Sequence, residues 1–284
     1  MLKIVLLILG ILAVVVLGIL ATAWLANRSF NQKVAQEVAA LFQKTDAKKD
    51  GIRQTDLARL PPCVQKWLEN SGVIGKARIS TVRLKQQGMM RTKPARAWMP
   101  FTAVQYFTVA PPAFNWQVNV QAAPLLSLAG RDQYANGRGH MLIKLLALFP
   151  VADAKGPETD QGSMVRYLAE TIWFPTAALS DYLTWEALDA ASARVTMSYG
   201  GVTAAGVFRF NAQGDVISFE AQRYGEFDGT YSLETWFITM TGWKTLQGIR
   251  IPYASEVAWK SKAGDFTWLK LEITELEFDM PMTY

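Results

Sequence analysis

Arg166 and Glu170 are the two side chains best placed to do chemistry in this sequence. They stand four residues apart in Ser163–Trp173, where Met164, Val165, Leu168, Ala169 and Ile172 recur at helical spacing. A helix puts positions i and i+4 on one side, so guanidinium and carboxylate can pair, in the less favourable order. Two readings follow. Beneath a covering helix that faces a cavity, Glu170 would bind a cation or act as an acid–base group, and Arg166 would hold an anionic headgroup. Alternatively the pair is structural and meets the sheet beside Arg223 or Tyr224, as most such ion pairs do. Other chemistries are largely closed. His140 is the only histidine and Cys63 the only cysteine. A zinc site of the His/Cys type lacks ligands, and a nucleophile–histidine system would have to assemble around His140. His140 adjoins an Asn-Gly turn and reads as exposed or locally hydrogen-bonded, and Cys63 reads as a packing residue. No phosphate-cradling lysine loop and no dinucleotide fingerprint follows a strand, so no cofactor or metal is implied. Asp46-x-Lys48-x-Asp50-Gly51 has the look of a calcium loop. It places Lys48 where an oxygen ligand is needed and Leu57 where the closing Glu belongs, so it is rejected.

The elements that would position these groups are mostly strands. From Ala193 to Asp279 polar and apolar residues alternate between short Gly-containing turns, the pattern of an antiparallel meander. Its strands are Arg194–Tyr199, Val202–Phe210, Val216–Tyr224, Thr230–Thr241, a strand from Ile249 through Pro252 to Trp259, and Phe266–Asp279. In the last, Leu269, Leu271 and Ile273 share a face, but Leu276 and Phe278 take the opposite phase. A one-residue slip predicts a β-bulge or an end of pairing near Thr274-Glu275. Upstream, Ala77–Gln87, Trp98–Val109 and Phe114–Gln121 read as strands, the last with Phe114, Trp116, Val118 and Val120 facing inward. Leu126–Tyr134 and Gly139–Leu146 form a hairpin about Asn136-Gly137. Periodicity cannot separate helix from strand in Leu142–Phe149. Leu60-Pro61-Pro62 opens a short helix that stops at Ser71-Gly72. Pro157–Gly162 reads as a loop, and Phe174-Pro175 ends the Ser163–Trp173 helix.

Ile4–Ala26 is apolar and uncharged, and as a helix it rises about 34 Å, enough for a hydrocarbon core of about 30 Å. Its length favours an uncleaved anchor over a signal peptide with a site at Ala21-Thr22-Ala23. Charges flanking it are nearly silent on orientation; the long domain is placed outside the cytoplasm. Asn31–Phe42 continues helical, and Thr45–Gln54 is a linker. The expected organisation is an anchor over 1–27, a juxtamembrane helical segment and linker over 28–56, and a β-rich domain over 57–284.

Half of the 284 residues are hydrophobic, only 19% are charged, and net charge is +5. That mild excess suits a membrane surface or an anionic ligand and is too weak for nucleic acid. Eight cations between Glu69 and Asp132 (Lys76, Arg78, Arg83, Lys85, Arg91, Lys93, Arg96 and Arg131) have no acid among them. They face anionic headgroups or are neutralised by the six acids between Glu158 and Asp189. Aromatic residues, Trp116, Phe208, Phe219 and Trp259 among them, line a ligand-sized pocket or fill a core.

Several short motifs, in order, resemble a bacterial membrane-anchored family of unknown function. They are Arg166-Tyr167-Leu168-Ala169-Glu170, Trp173-Phe174-Pro175, Ala221-Gln222-Arg223-Tyr224, Gly248-Ile249-Arg250-Ile251-Pro252 and Glu256-Val257-Ala258-Trp259. The resemblance covers most of the chain after the anchor and brings no activity with it. The β-rich region looks like the curved-sheet fold of lipoprotein carriers of the LolA and LppX kind. That implies a half-barrel of antiparallel strands holding lipid beneath a helical lid, by analogy of fold. The expected fold is therefore a large curved antiparallel sheet with a covering helix. The expected function is binding of a lipid or other apolar ligand at the membrane. The candidate ligand residues are Arg166, Tyr167, Glu170, Trp173, Trp116, Phe208, Phe219, Arg223, Tyr224 and Trp259. The alternatives are a non-catalytic assembly factor of the envelope and a hydrolase-type enzyme using Glu170. No protein partner is indicated.

Overall fold

A computed structural model describes residues 2–45, 50–227, 229–261 and 264–284. Most of the rejected calcium-like loop, and part of the turn at 262–265, lie outside the described residues. The chain opens with α1 (Leu2–Phe42), a 3-10 turn (Gln54–Leu57) and α2 (Pro62–Ser71). Six strands follow: β1 (Thr81–Met90), β2 (Met99–Thr108), β3 (Ala113–Ala123), β4 (Leu126–Ala135), β5 (Arg138–Leu145) and β6 (Phe149–Ala154). After α3 (Pro157–Glu170) and 3-10 turns over Thr171–Trp173 and Pro175–Leu179 come seven more. These are β7 (Leu183–Asp189), β8 (Ser192–Tyr199), β9 (Val202–Phe210), β10 (Val216–Phe227), β11 (Thr230–Leu246), β12 (Ile249–Ser261) and β13 (Gly264–Phe278).

All thirteen strands belong to one antiparallel sheet, ordered β6-β5-β4-β3-β2-β1-β13-β12-β11-β10-β9-β8-β7. The two meanders are joined where β1 pairs with the last strand, so both chain halves are needed to complete the sheet. The sheet is a half-barrel. Its curvature shows in α3, which touches β4 and β5 on one wing and β9 and β10 on the other. The wings also meet directly. Asn136 and Gly137 take positive φ at the β4–β5 turn, and Gly200 and Gly201 do so at the β8–β9 turn. A Cβ on Gly137 would lie 2.7 Å from the Gly200 carbonyl oxygen. Only glycine meets both the left-handed backbone and the close approach. Gly137→Ala is expected to lower stability by about 1–3 kcal/mol, read by urea unfolding of the full chain. Unchanged stability would mean the tips do not touch.

The phase slip in the last strand is a bulge. Lys85 pairs with Glu275 and Gln86 with Ile273, leaving Thr274 unmatched, its hydroxyl donating to the Lys85 carbonyl at 3.3 Å. The bulge keeps Leu269, Ile273 and Leu276 all buried. A second bulge leaves Trp268 unmatched, between Leu269 opposite Val257 and Thr267 opposite Ala258.

Other boundaries differ from expectation. β11 runs on to Leu246, absorbing the break at Thr241 as a bulge between Met240 and Gly242. Leu142–Phe149 is the end of β5, a turn and the start of an edge strand, β6. Pro157–Gly162 is not a loop but the first turns of α3. Pro157 occupies a first-turn position, and Glu158 and Asp160 face the positive end of the helix dipole. The helix ends at Glu170 and passes into 3-10 geometry before Phe174-Pro175. β1 begins at Thr81 rather than Ala77.

The two faces of the sheet have different cover. On the inner face, α3 seals a core in which Phe107 meets Phe114, Tyr167, Trp173 and Phe174 at centroid distances of 4.9–6.4 Å. α2 plugs one end, with Trp67 against Phe208, Phe210 and Trp185. On the outer face, Phe30, Val34 and Val38 of α1 form a separate cluster with Tyr106, Ala129 and Ala147. α1 is a single helix long and apolar enough to cross a membrane, and its first turns project beyond the sheet.

Candidate functional site

Strands β2 to β4 and the C-terminal end of α3 assemble a polar cluster on the inner face. Arg166 Nε donates to Glu170 Oε1 at 2.9 Å, and its Nη1 donates to Asp132 Oδ2 at 2.8 Å. Gln105 Nε2 donates to the other Glu170 oxygen at 2.7 Å. The Arg166 guanidinium lies over Trp116 at 4.5 Å and Phe114 at 5.1 Å, so its flat face is covered as well as its edge. Burial opposes the charge on Arg166, yet Glu170 and Asp132 hold its pKa above the ordinary value. Burial pushes the Glu170 carboxyl up from its ordinary 4.5, against the pull of Arg166 and Gln105. Both Glu170 oxygens accept hydrogen bonds and the residue is only 7% exposed. It braces α3 to β2.

Arg223 is the second arginine on this face. Its Nε donates to the Gly162 carbonyl at 2.9 Å, and it stacks over Trp236 at 4.8 Å and Trp259 at 5.6 Å. It forms no ion pair among the described residues, and burial lowers its pKa to about 10. The Tyr224 backbone N–H donates to Gln161 Oε1 of α3 at 3.2 Å.

The ten candidate residues therefore separate into two groups. Tyr167, Trp173, Phe208 and Phe219 are sealed in the core, and Tyr167 OH donates to the Thr108 carbonyl at 3.1 Å. Glu170 is buried in the polar cluster. Trp116, Arg166, Arg223 and Tyr224 are half-buried, and Trp259 is just covered. The space directly under α3 is filled. The inner face continues past the helix as a half-buried apolar surface that includes Met90, Met99, Trp116, Leu128 and Leu271. Several buried side-chain donors lack acceptors among the described residues, Gln86 Nε2, Trp236 Nε1 and Trp268 Nε1 among them. Gln86 also accepts from Trp116 Nε1 at 2.8 Å. Two hollows lie elsewhere. One of about 650 Å³ is bordered by Arg59, Arg78, Thr176 and Tyr182, the other of about 510 Å³ by Trp24, Arg28, Tyr106 and Tyr284.

Sequence reasoning missed Gln105 and Asp132. Gln105 was detectable, since it interrupts the inward row Phe101, Ala103, Phe107 of β2. Asp132 gave one hint, as the acid that ends the long basic stretch. The acids between Glu158 and Asp189 do not neutralise that stretch among the described ion pairs. Arg83 pairs with Glu277 at 2.6 Å, Lys85 with Glu275 at 2.8 Å, and Arg131 with Glu37 of α1 at 3.3 Å. The sheet puts β13 beside β1 and lays α1 across β2–β4, and these elements supply the counter-charge. His140 belongs to the same outer-face network. Arg131 can only donate, so His140 Nδ1 accepts from it at 2.9 Å and Nε2–H donates to Asp153 at 2.7 Å. Burial, helped by Arg131, lowers the pKa of His140.

Among solved structures the chain is similar to a LolA superfamily protein from Nitrosomonas europaea, at 10% identity and a TM-score of 0.44. That likeness covers 75% of this chain and 92% of that one. It is also similar to a DUF1329 family protein from Desulfovibrio piger, at 7% identity and a TM-score of 0.39, over 79% and 95% of the two chains. No curated protein matches the chain. A family model matches residues 50–271, from before α2 into β13. The chain belongs to the family that model describes, DUF6544, a family of unknown function.

Proposed function

We propose that this is a membrane-anchored binding protein that holds a lipid or other apolar molecule against the uncovered part of its inner face. In this reading residues 1–27 are the anchor, 28–56 the juxtamembrane segment, and 57–284 a binding domain on the extracytoplasmic side. The observation that carries it is the half-buried surface around Met90, Met99, Trp116, Leu128 and Leu271, which runs on from a tightly packed core. A curved sheet with one covering helix leaves such a surface, and apolar sites are built of this material with a few polar groups to orient the ligand. The unpaired Gln86 Nε2, whose side chain also accepts from Trp116, supplies such a group. Each unmet buried donor costs about 1–3 kcal/mol, which a ligand with ester or carboxyl oxygens would offset. Arg166, stacked on Trp116, borders the same surface.

Native mass spectrometry of the full chain, purified in mild detergent, tests this. A co-purifying lipid is expected, lost on Trp116→Ala with Leu128→Asp. A folded, lipid-free protein would overturn the reading. The filled space under α3 favours a second reading, a ligand-free assembly factor of the envelope. It would be supported by a co-purifying protein with no lipid.

A further inference from the structure

The end of the sheet from which α1 departs has its own chemistry. Glu37 of α1 accepts from Asn115 at 3.2 Å, and Asn31 accepts from Gln117 at 2.6 Å. Descending α1 toward its N-terminus therefore moves toward the Ala123 end of β3. Phe30 clusters with Ala147, which lies in the β5–β6 turn at that same end. Below this level α1 is exposed and apolar.

Register fixes what else lies on this rim. Phe101, Val120, Leu128, Leu145 and Phe149 form one row across five strands. The connections just beyond that row are residues 91–98, 124–125 and 146–148. They present Leu125 at 82% exposure and Phe149, the first residue of β6, at 63%. Val151 of the edge strand is 57% exposed. The 91–98 connection carries Arg91, Lys93 and Arg96, the last two exposed. None of the three connections contains an acid. Bulky apolar tips beside exposed cations match the interface of a bilayer bearing anionic lipid. The apolar run of α1 ends at Ala26, level with this rim, so the anchor itself would bring the rim to the headgroups.

We propose that the rim of β1–β6 docks on the bilayer that holds α1, with Leu125 and Phe149 in the interface and Lys93 and Arg96 on anionic headgroups. This rests on the anchor in the reading above and adds that the sheet lies against the membrane rather than standing off it. An apolar ligand could then pass between bilayer and inner face at Leu128 without crossing water.

The test uses the full chain, with Cys63→Ala, in vesicles of zwitterionic lipid with and without anionic lipid. An environment-sensitive fluorophore is placed on Leu125→Cys, on Phe149→Cys, or on Gln213→Cys, which is exposed in the β9–β10 turn beside α2. Expected are a blue-shifted emission and several-fold stronger quenching by lipid-borne nitroxide at positions 125 and 149 than at 213. Anionic lipid should enhance both, and Lys93→Glu with Arg96→Glu should remove that enhancement. Equal quenching at all three positions in vesicles that float with the protein overturns the docking and leaves the anchor standing. Protein that fails to float overturns both.

Discussion

Replacing Arg166 with Met is expected to lower the unfolding free energy by about 3–5 kcal/mol, because it strands two buried carboxylates. Asp132 and Glu170 both depend on this guanidinium, with side chains 11% and 9% exposed. Met fills the stem volume over Trp116, so the loss isolates charge rather than packing. Glu170→Gln should be far milder, since it removes one buried charge and its amide oxygen still accepts from Arg166. The pair of variants separates a brace from a catalytic acid, which would give the opposite order in function. It also predicts a pH dependence. The Glu170 carboxyl is raised in the folded state, so the native protein holds that proton more tightly than the unfolded chain does. Its contribution to stability is full below the unfolded value of 4.5 and is lost as pH rises through the folded value. Urea unfolding across this range should show Glu170→Gln gaining on the wild type as pH rises. A constant difference would contradict the raised value.

Phe107→Ala should be comparably severe, at about 3–5 kcal/mol by thermal or urea unfolding. Phe107 is wholly buried and meets four other rings, among them Phe174 at 4.9 Å, where α3 gives way to 3-10 geometry. Truncation leaves a void between β2 and the turn that ends α3, and the rings around it are held by strands that cannot collapse inward. Phe107→Leu, which keeps most of the volume, should retain most of the stability. If the alanine variant unfolds like the wild type, the space beneath α3 is hollow after all.

How much of this was legible depended on the kind of signal. Strict alternation in Phe114–Gln121 and the phase slip at Thr274 report local geometry, and both are found where the residues place them. The Arg166–Glu170 pair was readable from spacing alone. Its two further partners come from β2 and β4, more than 30 residues away, and no local pattern reports such a meeting. β6 was invisible because an apolar run has no period to read. The start of α3 was hidden by Gly162, a turn former by habit. Here it lies inside the helix, facing Arg223 and the Tyr224 carbonyl, which a Cβ would meet at an ordinary contact distance of 3.5 Å. Most difficult was the pairing of the basic stretch, since Glu37, Glu275 and Glu277 come from the two ends of the chain.

α1 contains no proline from Leu2 to Phe42, and its last turns are locked to the outer face by Phe30, Val34 and Val38. Its 41 residues make a stiff lever about 62 Å long with no hinge at the water boundary. Helices longer than the local hydrocarbon thickness lean to fit it. If α1 spans a bilayer as proposed, any lean of this rigid shaft inside the lipid becomes an equal rotation of the sheet outside it. Bilayer thickness would then steer the direction in which the half-barrel opens, an outcome that a flexible tether between helix and sheet would abolish.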